Sequence, residues 1–244
     1  MPEGHSFEKQ ETTLLPKIDF ETVLEKGEIE STQRLEGSWG IDLVKIKDDG
    51  DALFRPDSAT DYIFEAKGME VRRSDLEIMA YKIDQILEFG LIPTVIIRIV
   101  GEQKGALQRR IQNFHDQYDP RWDDRVRPEE IMRAAIFDYL FEVRDRHLEN
   151  FLIDSDTGKL WLVDHDFFMF FRELGLSRND IVEKAIKKGL VVFGGFEIAA
   201  LERFLAYADS LTIGATPEVI EIVEKARDRA EILLEEGQIP QDSI

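Results

Sequence analysis

The stretch from Arg144 to Asp166 concentrates the residue types that do chemistry. It reads Arg144-Asp145-Arg146-His147-Leu148-Glu149-Asn150-Phe151-Leu152-Ile153-Asp154 and resumes, after a polar turn, as Lys159-Leu160-Trp161-Leu162-Val163-Asp164-His165-Asp166. Two short apolar runs, Phe151 to Ile153 and Leu160 to Val163, flank Ser155-Asp156-Thr157-Gly158, so the chain must reverse between them. The reversal predicts that Asn150, at the start of the first run, lies near Asp164, at the end of the second. An amide oxygen and a carboxylate at one junction are hard oxygen ligands suited to Mg²⁺ or Mn²⁺. Asp166 offers a further carboxylate; Asp164 is favoured as the principal ligand because it closes the apolar strand. His147 is either a structural hydrogen-bonding residue or a proton carrier, since an unperturbed imidazole titrates near pH ~6.5.

The elements that must position these groups differ between the two halves of the chain. Ile41 to Lys47 and Ala52 to Arg55 read as two strands, with Asp49-Gly50 supplying the positive-φ residues of their turn and Pro56 ending the second. Leu76, Met79, Ala80, Ile83, Ile86 and Leu87 then recur at helical spacing, with Ser74 as N-cap and Gly90 just past the end. Leu91 to Val100 and Ala106 to Ile111 read as a further strand pair. After residue 111 the periods are helical: Pro128 to Val143, stretches near 179–188 and 195–210, and a last helix opened by Thr216-Pro217 and closed by Gly237. The reading is an α+β fold of two lobes, residues 1–111 as a sheet lobe with one helix and 112–244 as a mainly helical lobe, with a ligand cleft between them.

Asp145 and Asn150 are five apart and Asp164 follows fourteen later. That is the spacing of a phosphotransferase loop in which an Asp orients the acceptor hydroxyl, an Asn holds metal, and a second metal-binding Asp follows a hairpin. The Asp-Arg-His order resembles the phosphatidylinositol 3-/4-kinase-like group and its HipA-like and Fam20-like relatives. The likeness extends upstream through Leu24 to Glu30, Leu35-Glu36-Gly37-Ser38-Trp39-Gly40, Ala52-Leu53-Phe54-Arg55-Pro56, Glu77-Ile78-Met79-Ala80-Tyr81 and Leu91 to Val95, covering roughly residues 23 to 165. In order and spacing it looks like the bacterial PI3/4-kinase-like family, and the resemblance implies a protein-kinase-like fold that uses ATP with Mg²⁺ or Mn²⁺. By that resemblance Asp145 is the catalytic Asp, and Gly37, Ser38 and Gly40 belong to the loop over the phosphates. Arg55 stands where a nucleotide-binding Lys is expected, Glu77 is its helix partner, and Gln108 lies on the strand leading to the hinge. Glu77 has a second reading, as the acid of a capping box with Ser74. Arg for Lys is not a conservative exchange, because a guanidinium is planar and aimed differently from an ammonium.

Composition narrows the partners. The 244 residues carry 31 basic and 50 acidic side chains, a net charge of −19, with no cysteine. Thiolate metal sites and disulfides are therefore excluded, and the charge opposes binding to nucleic acid or to an anionic membrane. No leader or spanning stretch is visible, so the expectation is a cytoplasmic protein whose acceptor is a protein Ser/Thr hydroxyl rather than a lipid or small molecule. Two other readings stand beside this: a nucleotide-binding pseudokinase or regulatory module, and a His-Asp metal phosphohydrolase built on His115-Asp116 and His165-Asp166. The aromatic run Phe167 to Phe171 reads as core packing, and Arg72-Arg73 and Arg109-Arg110 as solvated faces.

Overall fold

A computed structural model describes residues 19–36, 40–47, 50–59, 71–115, 121–165 and 178–240. An antiparallel sheet forms the N-terminal part and the C-terminal part is mainly helical, an α+β arrangement compatible with a two-lobed kinase-like fold. The sheet comprises β1 (Ile29–Arg34), β2 (Asp42–Ile46), β3 (Gly50–Pro56), β4 (Val95–Val100) and β5 (Gln103–Arg109), in the order β1-β2-β3-β5-β4. Such a sheet is at odds with the all-helical fold that the phosphohydrolase reading requires. Gly50 takes φ 97 at the β2–β3 turn, while Asp49, Gly37, Ser38 and Trp39 lie outside the described residues.

The period-two pleat divides the sheet's chemistry between its faces. Val44, Ile46, Ala52, Phe54 and Leu107 form a small core with Leu24 of α1 (Phe20–Lys26) on one face. Leu53 pairs with Gln108 and Arg55 with Ala106, which places both polar side chains on the opposite face, beside α2 (Arg73–Leu87). Helix α1 is a seven-residue element, too short to show a helical period; Asp19 caps it by accepting from the Thr22 amide at 3.3 Å and hydroxyl at 2.7 Å. Arg98, a cation inside an otherwise apolar strand, closes its other end by donating to the Leu24 and Gly27 carbonyls. Gly105 has a stricter demand on it, since a Cβ there would lie 2.2 Å from the Arg55 carbonyl oxygen and 2.7 Å from Pro56 Cα. Backbone cannot yield as a side chain does, so Gly105→Ala should cost roughly 1–3 kcal/mol, measured by urea unfolding.

Helix α2 departs from its expected ends. It begins at Arg73, with the Asp75 carboxylate accepting from the Arg72 amide at 3.1 Å, and Ser74 is buried in the first turn with its N–H on Asp57. Glu88, at φ 58, rather than Gly90, supplies the left-handed C-cap. The strand expected from Leu91 starts only at Val95 because Asp84 takes the amides of Leu91 and Ile92 at 3.0 and 3.1 Å. Burial pushes the Asp84 carboxyl up to about 6, against the pull of those amides. Since the native group holds a proton that the unfolded chain, titrating near 3.8, has released, its stabilisation is complete below about pH 3.8 and is lost as pH rises through about 6. The swing is about 3 kcal/mol. Asp84→Asn should flatten this slope, seen as a difference in urea midpoints between wild type and variant at pH 5.2 and 7.5.

The C-terminal part contains α3 (Pro128–Leu140), β6 (Asp145–Arg146), the hairpin β7 (Phe151–Ile153) and β8 (Leu160–Leu162), β9 (Arg178–Asn179), α4 (Asp180–Lys187), α5 (Gly195–Leu211) and α6 (Pro217–Glu236). Gly237, at φ 64, closes α6 as its sequence predicts, and Pro217 opens it. One core runs from Val95 and Ala106 on the sheet's inner face, through Leu76 and Ile83 of α2, to Phe137, Phe141, Phe204 and Val223. Helix α2 is thus packed against both parts of the molecule. Among the described residues no helix is long and apolar enough to cross a membrane.

Candidate functional site

Around Arg146 the chain brings four segments to one point. Its side chain is fully buried; Nε and Nη2 meet Asp138 of α3 at 3.0–3.2 Å, while Nη1 donates to the carbonyls of Asn150 at 2.7 Å and Val163 at 2.9 Å. Asp138 also accepts from Asn179 Nδ2, whose own Oδ1 caps α4 through the Val182 amide. The loop from Asp145 to Asn150 and the strand leading into Asp164 are therefore pinned to α3 by one guanidinium. Sequence reasoning missed both partners. The available signal was Asp138, an acid recurring on the apolar stripe of Ile131, Ala134 and Ala135.

The hairpin reversal brings Asn150 and the Asp164 strand together. Phe151 pairs with Leu162, and the Val163 amide donates to the Asn150 carbonyl at 3.1 Å. Asn150 is buried and its Nδ2 donates to the Asp145 carbonyl at 2.6 Å, which assigns the amide and leaves Oδ1 on the other side. Asp164 sits at φ 60, a left-handed conformation that Asp tolerates better than most residues, with its carboxylate about one-third exposed. His147 opens a short 3₁₀ turn: its Nδ1 accepts from the Glu149 amide at 3.2 Å, so in the neutral ring Nε2 carries the proton, 3.5 Å from Asp145 Oδ1. Both side chains are partly exposed.

Arg55, Glu77 and Gln108 form a second, buried cluster. Arg55 Nη1 lies 3.2 Å from Glu77 Oε1 and donates to Gln108 Oε1 at 3.0 Å. Glu77 is also 3.2 Å from His165 Nδ1 and accepts from the His165 amide, so the ion pair reaches the residue next to Asp164. Burial opposes ionisation of Glu77, but the Arg55 charge, the His165 hydrogen bond and Arg73 together outweigh it and hold the carboxyl well below the usual carboxylate range. Burial pushes His165 down despite Glu77, so the ring is neutral and donates from Nδ1. Arg73, expected on a solvated face, is instead buried, with Nη2 3.3 Å from Asp164 Oδ1. It reaches Asp164 because residues 73 and 77 are one helical turn apart on the face turned toward the hairpin.

The structure thus gathers Asp145, His147 and Asn150 in one loop, Asp164 beside it, and Arg55, Glu77 and Gln108 in a cluster joined to it through His165. Gly40 takes φ 68 at the edge of the described residues, and Gly37, Ser38, Asp166 and the Phe167 to Phe171 run lie outside them. Among the described residues no three acidic or histidine side chains converge. Asn150 Oδ1 and the Asp164 carboxylate are hard oxygen donors of the type that suits a hard cation. Arg55 Nε and Gln108 Nε2 are buried donors with no partner among the described residues, a polarity that suits an anionic ligand.

A search of curated proteins found no match to the chain. Residues 113–179 match the family model for phosphatidylinositol 3- and 4-kinase, and this stretch contains Asp145, His147, Asn150, Asp164 and Asp166.

Proposed function

We propose that the protein is an ATP- and Mg²⁺-dependent phosphotransferase of the PI3/4-kinase group that phosphorylates a protein Ser/Thr hydroxyl. The observation that carries this reading is the buried Arg55–Glu77 ion pair reaching, through His165, the loop that holds Asp164 and Asn150. Asp145 would orient the acceptor hydroxyl and take its proton, with His147 Nε2–H turned toward the carboxylate. Asn150 and Asp164, with Asp166, would hold Mg²⁺, while Arg55 and the Gly37 to Gly40 segment would hold the phosphates of ATP. Bound together, the cation and nucleotide supply the transferable phosphoryl group and offset its charge. A net charge of −19 favours a soluble protein acceptor over a lipid in an anionic bilayer.

The test is phosphate transfer from γ-labelled ATP to a basic Ser/Thr protein substrate. Asp145→Ala and Asp164→Ala should each reduce the rate by about 10²–10⁴-fold, the usual worth of a positioned proton acceptor or its equivalent. A second reading, a nucleotide-binding module that transfers nothing, is favoured by Arg55 being engaged by both Glu77 and Gln108. It predicts a Mg²⁺-dependent thermal shift with ATP but no transfer above the level of the Asp164→Ala variant.

A further inference from the structure

We propose that a cavity beneath α1 is a binding site for a small organic anion with a flat apolar body, an arene carboxylate, held by the guanidinium of Arg109. The cavity holds about 280 Å³; Phe20, Val23 and Leu24 of α1, Ile46 of β2 and Trp161 form its apolar side, and Arg109, Arg110, Asp51 and Asp154 are among the polar residues that line the rest. Arg109 is next to Gln108 on β5, so its side chain leaves the sheet on the opposite face from the Arg55 cluster. The cavity therefore lies on the other face of the sheet from Arg55 and Gln108.

Arg109 is the feature that selects a ligand. Its guanidinium carbon lies 3.6 Å from the Phe20 ring centroid and 5.8 Å from that of Trp161. The neighbouring Arg110 has its charge met by Asp51 at 2.8 Å, but among the described residues Arg109 makes neither a side-chain hydrogen bond nor an ion pair. Asp154, which also lines the cavity, attracts it only at longer range; its Oδ1 accepts from the amides of Asp156 and Thr157 and the Thr157 hydroxyl. Burial pushes the guanidinium's pKa down, the expected result for a cation half removed from water without a hydrogen-bonded anion. A guanidinium covered on its face by an aromatic ring still presents in-plane N–H pairs, a geometry that matches a carboxylate. Val23, Leu24 and Ile46 then call for an apolar body. The walls come from α1, the β2–β3 pair, the end of β5 and the β7–β8 hairpin, so an occupant would tie these segments together.

The probes are 2-naphthoate and its neutral analogue 2-naphthamide, titrated into the full chain by calorimetry. The acid should bind at least tenfold more tightly than the amide. Arg109→Met should erase that preference and Arg109→Lys should retain part of it, while saturating ATP and Mg²⁺ should displace neither probe. Val23→Phe, which fills the cavity and leaves Arg109 in place, should abolish binding of both probes and serves if Arg109→Met does not fold. Equal affinities in the wild type, no naphthoate binding at millimolar concentration, an unchanged preference in Arg109→Met, wild-type binding in Val23→Phe, or displacement by ATP would each overturn the proposal. None of these outcomes depends on whether the protein transfers phosphate.

Discussion

An Arg146→Met variant should lose about 3–5 kcal/mol of folding stability, because it leaves the buried Asp138 carboxylate without its main counter-charge. Asn179 Nδ2 remains on Asp138, but one amide donor does not replace a guanidinium that meets both carboxylate oxygens. The loss should appear as a lower urea midpoint with an unchanged slope. Adding Asp138→Leu should recover part of it, since an apolar pair of similar volume avoids the cost of burying charge. Recovery of stability and recovery of function should then separate. Arg146 also donates to the Asn150 and Val163 carbonyls, and no apolar side chain can hold the segments that carry Asn150 and Asp164 through those oxygens. The double variant should fold yet remain at least about tenfold slower in phosphate transfer, a rate loss that corresponds to only ~1.4 kcal/mol of misplacement. A double variant with full activity would show that Arg146 is needed for stability alone.

Glu77→Gln carries the second large expectation, again a loss of about 3–5 kcal/mol near neutral pH, because the buried Arg55 charge then faces only amides and a neutral imidazole. The loss should depend on pH. Glu77 is held below its unfolded value of about 4.5, so its stabilisation is present above that value and disappears as pH falls through the native one. The gap between the urea midpoints of wild type and variant should therefore begin to narrow as pH falls below about 4.5 and keep narrowing toward the lower native value. A gap that is constant with pH would mean that the glutamine is penalised for its shape and not for its missing charge. The opposite sign at Asp84, whose contribution fades as pH rises toward 6, makes the two acids distinguishable in one titration.

How much of this could be read from the chain depends on the range over which each signal acts. Helix α6 was legible because Pro217, an apolar stripe and Gly237 are all local, and the β7–β8 reversal because a Gly-ended polar turn between two apolar runs has few alternatives. The same locality explains the misplaced ends of α2. Ser74 has the right type for an N-cap, but Asp57, seventeen residues away, takes its amide. The strand expected from Leu91 is shortened for the same kind of reason, by a carboxylate from the preceding helix. Helix α1 gave no period at seven residues and depends on Arg98, more than seventy residues distant, for its C-terminal end.

Residue type and spacing by themselves determined an α+β chain with a sheet first and helices after, and singled out Asp145, Asn150 and Asp164 at the separation that a hairpin brings together. Only the tertiary structure decided which charges are buried and which partners they have. Arg73 and Arg109 look alike in the sequence, each beside another arginine, yet one is buried against Asp164 and the other is stacked on Phe20 beside a cavity. Arg146 likewise reads as one charge among several in a polar loop until α3 presents Asp138 to it. The reason is that desolvation and pairing depend on contacts between segments far apart in the chain, whereas periodicity reports only on neighbours within a turn or a strand.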